Sequence, residues 1–138
     1  MSRSYLHLIL LLLPLLFPHL SISQTIRNSN SKLVAKISGG EIRDHNSRKL
    51  ESIASDGTVR NSNGKKFGTV QDGKVINENG QTIFKYDGNG TVRDKNGRLV
   101  YSIGNGDIRD SSGKLMFKYE EIELINLIGY LFFFYSEN

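Results

Sequence analysis

No cysteine occurs anywhere in the 138 residues. That excludes disulfides, a thiol nucleophile, a thiolate metal site and a lipid-attachment cysteine, so stability must come from packing and hydrogen bonds. Histidine is nearly as scarce. Beyond the first 23 residues only His45 remains, and neither a His-based triad nor a histidine zinc site has a second partner. Proline is confined to Pro14 and Pro18, against 14 glycines, so the turns rest on glycine. No block of one charge stands out either. The net charge is +4, or +3 without Arg3, and both signs are interspersed. A nucleic-acid partner, which usually meets basic charge gathered on one face, is not expected.

What is present is a globular composition, with 38% hydrophobic and 23% charged residues and a mean hydropathy of −0.34, enough for one small domain. The chain opens MSRSYLHLILLLLPLLFPHLSISQ. Arg3 supplies a minimal basic start, Tyr5 to Leu20 an apolar stretch, and Ser21-Ile22-Ser23 the small residues that a signal peptidase reads. Residues 1–23 are therefore read as a signal peptide cleaved before Gln24. The remainder is expected to be secreted, periplasmic or on the cell surface. The alternative is an uncleaved anchor, but the run is short for a span and is spoiled by Pro14, Pro18 and His19.

From Gln24 to residue 120 one phrase recurs six times. A β-branched residue stands at Ile26, Ile42, Val59, Val75, Val92 and Ile108, at steps of 16, 17, 16, 17 and 16. The next column reads Arg27, Arg43, Arg60, Ile76, Arg93, Arg109, and the one after it Asn28, Asp44, Asn61, Asn77, Asp94, Asp110. Turn residues follow, such as Asn63-Gly64 and Asn79-Gly80, for which a type I′ turn is the expectation. Two apolar columns close each unit: Val34, Leu50, Phe67, Ile83, Val100, Met116, and then Ile37, Ile53, Val70, Tyr86, Ile103, Tyr119. A second turn, such as Gly39-Gly40 or Asp72-Gly73, leads to the next unit.

Short segments rich in Val, Ile, Thr, Phe and Tyr between tight turns predict an all-β chain of tandem antiparallel hairpins, about six repeats of 16–17 residues. One hairpin is too thin to stand alone, but neighbours can share a core. The two closing columns lie three residues apart, so either a bulge separates them or both faces are partly covered. The hairpins either stack as an open β-hairpin solenoid or close into a pseudo-symmetric ring or flower-like barrel. Closure is favoured, because the first repeat starts at once after the cleavage site and leaves no room for a cap.

QTIRNSNSKLVAKI directly after the leader, DGTVRNSNGKKFGTV further on and the terminal FFFY run together resemble the five-fold beta-flower repeat proteins. These are small exported proteins of Bacteroidetes-type bacteria. Their units look like D-G-T-[IV]-x-[DN]-x-N followed by T-[IV]-G-x-[IV]. Their mature chains begin Gln-Thr-Ile and finish in a Phe-rich tail. The likeness runs from Gln24 to about Tyr135. It implies an all-β, pseudo-symmetric ring of hairpins and implies no activity. The count here is six units where the name says five, and the tail lacks a small-residue stretch before the phenylalanines.

Chemistry is thin. His45 sits in a turn with no evident orienting partner. Asp44, Asp94 and Asp110 recur in equivalent positions, whereas a glycosidase needs two carboxylates in unlike environments. The Asp87–Thr91 and Asn105–Asp107 loops resemble acidic Gly-rich calcium loops but lack the dense alternating Asp and a closing Glu; hairpin turns explain the same residues. No cofactor or metal is expected. The one candidate site is the column Arg27, Arg43, Arg60, Arg93 and Arg109. In a closed ring these could form a multivalent site for phosphate, sulfate or an anionic glycan. The plainer reading pairs each Arg with a neighbouring acid such as Asp44, Asp94 or Glu51. Tyr86, Tyr101 and Tyr119 could stack on sugars, although Tyr86 and Tyr119 occupy a core-like column.

Residues 121–138 leave the pattern. Leu124–Tyr135 is almost wholly apolar and is read as a strand or short helix that packs on the repeats or plugs their axis. The alternatives are a membrane-surface segment and a self-assembly edge. The sequence thus points to a non-enzymatic exported repeat protein, a structural or binding module of the cell envelope. Its rivals are a membrane-associated or self-assembling factor acting through the tail, an anion- or glycan-binding module using the Arg column, and a repeat fragment of a toxin or adhesin system.

Overall fold

The computed structural model describes residues 24–137. The expected signal peptide, residues 1–23, lies outside the described residues. Twelve strands follow in order: β1 Thr25–Asn28, β2 Leu33–Ser38, β3 Glu41–Arg43, β4 Lys49–Ile53, β5 Thr58–Asn61, β6 Lys66–Gln71, β7 Lys74–Asn77, β8 Thr82–Tyr86, β9 Thr91–Asp94, β10 Leu99–Gly104, β11 Asp107–Asp110 and β12 Leu115–Glu120. A helix, α1, spans Leu124–Glu137. Every strand pairs antiparallel with its chain neighbours, and β1 pairs with β12 from Thr25↔Glu120 to Asn28↔Phe117. The ring is closed, so the open solenoid is excluded and no sheet edge is left to cap.

Two kinds of turn alternate along the chain, and they end at opposite rims of the barrel. At one rim, Asn28, Asp44, Asn61, Asn77, Asp94 and Asp110 each use Oδ1 to accept backbone N–H groups two and four residues ahead, as Asn61 does from Asn63 and Lys65 at 3.0 Å. These are three-residue loops with one left-handed residue, Gly64 (φ 81°) in the third unit. The type I′ expectation for Asn-Gly is corrected here. Asn63 does not take a positive φ, because its unit closes through the preceding Asn61 side chain and needs only one left-handed position.

The other rim does carry two-residue type I′ turns, at Gly39-Gly40, Asp72-Gly73 and Asn105-Gly106, both residues having positive φ. Between them come three-residue turns closed by Ala54 N–H to Thr58 and Asp87 N–H to Thr91. This alternation accounts for the repeat steps. Steps of 16 cross a two-residue turn, and steps of 17 cross a three-residue one.

The spacing of the two apolar columns is resolved by bulges. Ile26 pairs with Ala35 but Arg27 pairs with Leu33, leaving Val34 as an extra residue. The same shift leaves out Leu50, Phe67, Ile83, Val100 and Met116. The bulge residues are half-buried. Beyond each bulge the strand resumes alternation and turns a further column inward: Ala35, Glu51, Gly68, Phe84, Tyr101 and Phe117.

A twelve-stranded barrel is wider than strand side chains can fill, since about eight strands already reach that limit. Helix α1 occupies the space. Leu127, Ile128, Gly129, Tyr130, Leu131 and Phe132 are buried in one cluster with the inward strand residues. The backbone of α1 comes closest to β4 and β6, beside the side of the ring where the inward column is Glu51 and Gly68. A Cβ on Gly68 would stand 2.7 Å from Cε1 of Phe132, and one on Gly129 would collide with Ile53. Opposite, aromatic rings fill the remainder: Phe84 meets Tyr101 edge-on at 6.2 Å, and Phe117 meets Tyr130 at 5.5 Å and Phe134 at 5.1 Å. The six units are alike in backbone, and the inward column breaks their symmetry to seat an off-centre helix.

Candidate functional site

The five arginines follow inward-facing Ile or Val, so they stand on the outer wall near the Asx-turn rim. Each turns its guanidinium onto its own loop. Nη1 of Arg27, Arg43, Arg60, Arg93 and Arg109 donates to the carbonyl four residues on, at Ser31, Ser47, Gly64, Gly97 and Gly113, over 3.0–3.2 Å. Nη2 of Arg43 also reaches Glu41 at 2.8 Å, and Nη2 of Arg109 reaches Asp107 at 3.0 Å. A hydrogen bond from Arg43 and then its charge hold the Glu41 carboxyl below its usual range.

Neighbouring arginines lie two strands apart, about 10 Å around the girdle, except Arg60 and Arg93, which stand four strands apart with Ile76 on β7 between them. They share a height but do not converge on one point. Of the acids expected to pair with them, Asp44 and Asp94 accept from their own turns. Glu51 is turned inside the barrel, because the bulge at Leu50 reverses the facing of the residue after it. His45 is exposed in its turn. Asp87 spends its carboxylate on the N–H groups of Asn89 and Thr91, and no cluster able to hold a metal ion occurs among the described residues.

One unit departs from the girdle. Ile76 stands where the others have Arg, and its loop is closed instead by Asn77 Nδ2 donating to Gln81 Oε1 at 3.0 Å. The C-terminal end of α1 emerges at this same unit. Tyr135, 53% exposed, is the one large exposed hydrophobic among the described residues, and its ring is held by Phe84 at 5.0 Å. A cleft of about 570 Å³ runs on one side of it, between Gln81–Ile83 and Asp94–Asn96. A second, of about 390 Å³, lies on the other side against Phe67, Asn77–Asn79 and Phe132. The two share Tyr135 and Ile83. Of the tyrosines singled out by sequence, Tyr101 is buried and Tyr86 and Tyr119 are half-buried.

Comparison with known families finds a match: the family described as 5-fold beta-flower protein matches residues 23–136. The chain belongs to that family. No curated protein and no solved structure matches it. In this beta-flower protein the petals number six, each a two-stranded hairpin.

The interior of the beta-flower holds one polar surprise. Glu51 is fully buried, and neither carboxyl oxygen has a hydrogen-bond partner. Oε1 lies 4.0 Å from where a Cβ on Gly129 would stand. Burial pushes the carboxyl up to about 9, so it is protonated at neutral pH. The Tyr130 phenol is pushed up to about 12, by burial first and then by Glu51 and Tyr101, and burial likewise raises Tyr101. Reading the sequence by its closing columns misses Glu51, Phe84 and Phe117. The signal that finds them is alternation: each stands two residues before a member of the second closing column, on the same face.

Proposed function

We propose that this beta-flower protein is an exported, non-enzymatic module of the cell envelope that works through its outer surface. The observation that carries this reading is the filled interior. Among the described residues, helix and inward columns pack the barrel interior into one buried cluster, so contact with other molecules falls to the rims and the outer wall. The leader MSRSYLHLILLLLPLLFPHLSIS supports export. Burial of Leu127–Phe132 supports the tail as core rather than as a membrane-surface or assembly segment. No helix of the described residues is long and apolar enough to cross a membrane. The test is expression of the full chain in a bacterial host, with fractionation and intact-mass measurement. The expected product lies outside the cytoplasm and begins at Gln24. Full-length protein starting at Met1 and confined to the cytoplasm would overturn the reading.

A second reading, binding of acidic glycans along the wall, is favoured by the five guanidinium groups held at one height. Their spacing suits a sulfated chain that spans several arginines better than a single inorganic anion.

A further inference from the structure

We propose that the paired clefts around Tyr135 form a binding site for a neutral saccharide chain. Three observations meet at this place. Tyr135 offers an exposed aromatic ring whose position is fixed by Phe84 at 5.0 Å. Sugar C–H faces pack on such rings, which combine an apolar face with a polar hydroxyl and order few rotors on binding. Clefts of about 570 and 390 Å³ lie on its two sides and share Ile83 as well as Tyr135.

Their polar lining is the second observation. Exposed Gln81, Asn96 and Asn79 bring amides, Glu78 and Asp94 bring carboxylates, and Lys95 brings one ammonium. Such groups, donors and acceptors side by side, match the paired donor–acceptor character of sugar hydroxyls.

The third observation decides the charge class. This is the one unit whose girdle position is Ile76 instead of Arg. The clefts therefore open at the gap in the basic girdle. There Glu78 is paired with Lys65 at 3.6 Å and Asp94 accepts from its own turn beside Lys95, so the lining presents little net charge. A sulfated or uronic chain would find its favourable field elsewhere on the wall, whereas a neutral chain loses nothing here. The proposal names what the envelope module would recognise, but it does not depend on where the protein is delivered.

The experiment is titration of the purified protein with neutral hexasaccharides of β-1,4-linked glucose, xylose and N-acetylglucosamine, and with a sulfated hexasaccharide. Amide shifts are followed by NMR at low and high salt. At least one neutral probe is expected to bind with shifts at Gln81, Asn96 and Tyr135 and an affinity that salt leaves unchanged. Tyr135→Ala is expected to weaken it about tenfold or more, while Tyr135→Phe keeps the ring and most of the affinity. Thermal melting of both variants separates lost binding from lost fold. Three outcomes would overturn the proposal: no shift with any neutral probe, binding that Tyr135→Ala leaves intact in a folded protein, or binding of the sulfated probe alone with shifts at the arginines. Loss of export leaves this titration unaffected, so the two proposals fail separately.

Discussion

A carboxyl with no partner inside an apolar cluster is expensive unless it is neutral, and Glu51 meets that condition by holding its proton. The consequence for stability follows from linkage. The ordinary value of 4.5 applies to the unfolded chain and about 9 to the folded one. Below pH 4.5 both states are protonated and the native state keeps its full stability. Between the two values only the native state holds the proton, so each pH unit removes about 1.4 kcal/mol, or roughly 3 kcal/mol by pH 7. Tyr130, whose phenol Glu51 helps to raise, stays neutral through this window. Glu41, Asp44, Asp56 and Asp110 act in the opposite sense. Their carboxyls are held below their usual range, by Arg43 for Glu41, chiefly by backbone N–H groups for Asp44 and Asp56, and by the Ser112 hydroxyl for Asp110. Their contribution is present at neutral pH and lost on acidification. Maximum stability is therefore expected in mildly acid solution. Thermal melts from pH 4.5 to 9 should show the wild-type midpoint falling, with Glu51→Leu nearly flat and well above wild type at pH 8. Parallel curves for the two proteins would show that Glu51 is not protonated in the fold.

At the scale of the element, the turns divide into positions that need glycine for its backbone and positions that need it for space. Gly64 has φ of 81° with nothing near its missing Cβ, and Ser31 and Ser47 hold the equivalent place in other units at 64° and 65°. Gly57 has φ of 88°, and a Cβ there would strike the Val70 carbonyl. Gly64→Ser is therefore expected to cost no more than about 1 kcal/mol, and Gly57→Ser about 2 kcal/mol or more. Chemical denaturation of the two variants measures both, and equal losses would refute the steric distinction. Hairpins and repeat count were legible in the sequence because β-branched and Asn/Asp columns repeat without a break. That spacing suits an open stack as well as the ring, and closure was favoured only from the lack of room for a cap. The bulges were legible only as a question, since a three-residue gap fits two explanations. The inward column was hidden because Ala35, Glu51, Gly68, Phe84, Tyr101 and Phe117 share no chemistry. What they share is a facing direction, which a search for like residues passes over. The Tyr135 clefts were hidden for a different reason: they join units three to five to the chain's last turn of helix, a contact that no local spacing encodes.

For the whole molecule, the governing fact is that ring and helix cannot be separated. Twelve strands of three to six residues close a ring too wide to fill itself, and α1 is too short and too apolar to persist in water alone. Four of its side chains, Leu127, Ile128, Leu131 and Phe132, are almost fully buried. At roughly 1.5–3 kcal/mol each, their burial is comparable with the entire stability of a typical small domain, about 5–15 kcal/mol. Removing the helix would also strip the faces of Phe84, Tyr101 and Phe117 that now meet it or pack beside it. A chain ending at Glu123 is thus expected to lose cooperative melting and near-ultraviolet circular dichroism, to bind a dye that reports exposed apolar surface, and to aggregate. Phe132→Ala tests the same coupling more gently. It leaves a cavity against Gly68 and Phe67, where the rings now lie 4.7 Å apart, and it should cost about 3–5 kcal/mol while the fold survives. A truncated chain that melts as sharply as the intact one would mean that the barrel stands without its helix. The tail would then be available for membrane or partner contact, and the reading of the helix as the core of the ring would have to be abandoned.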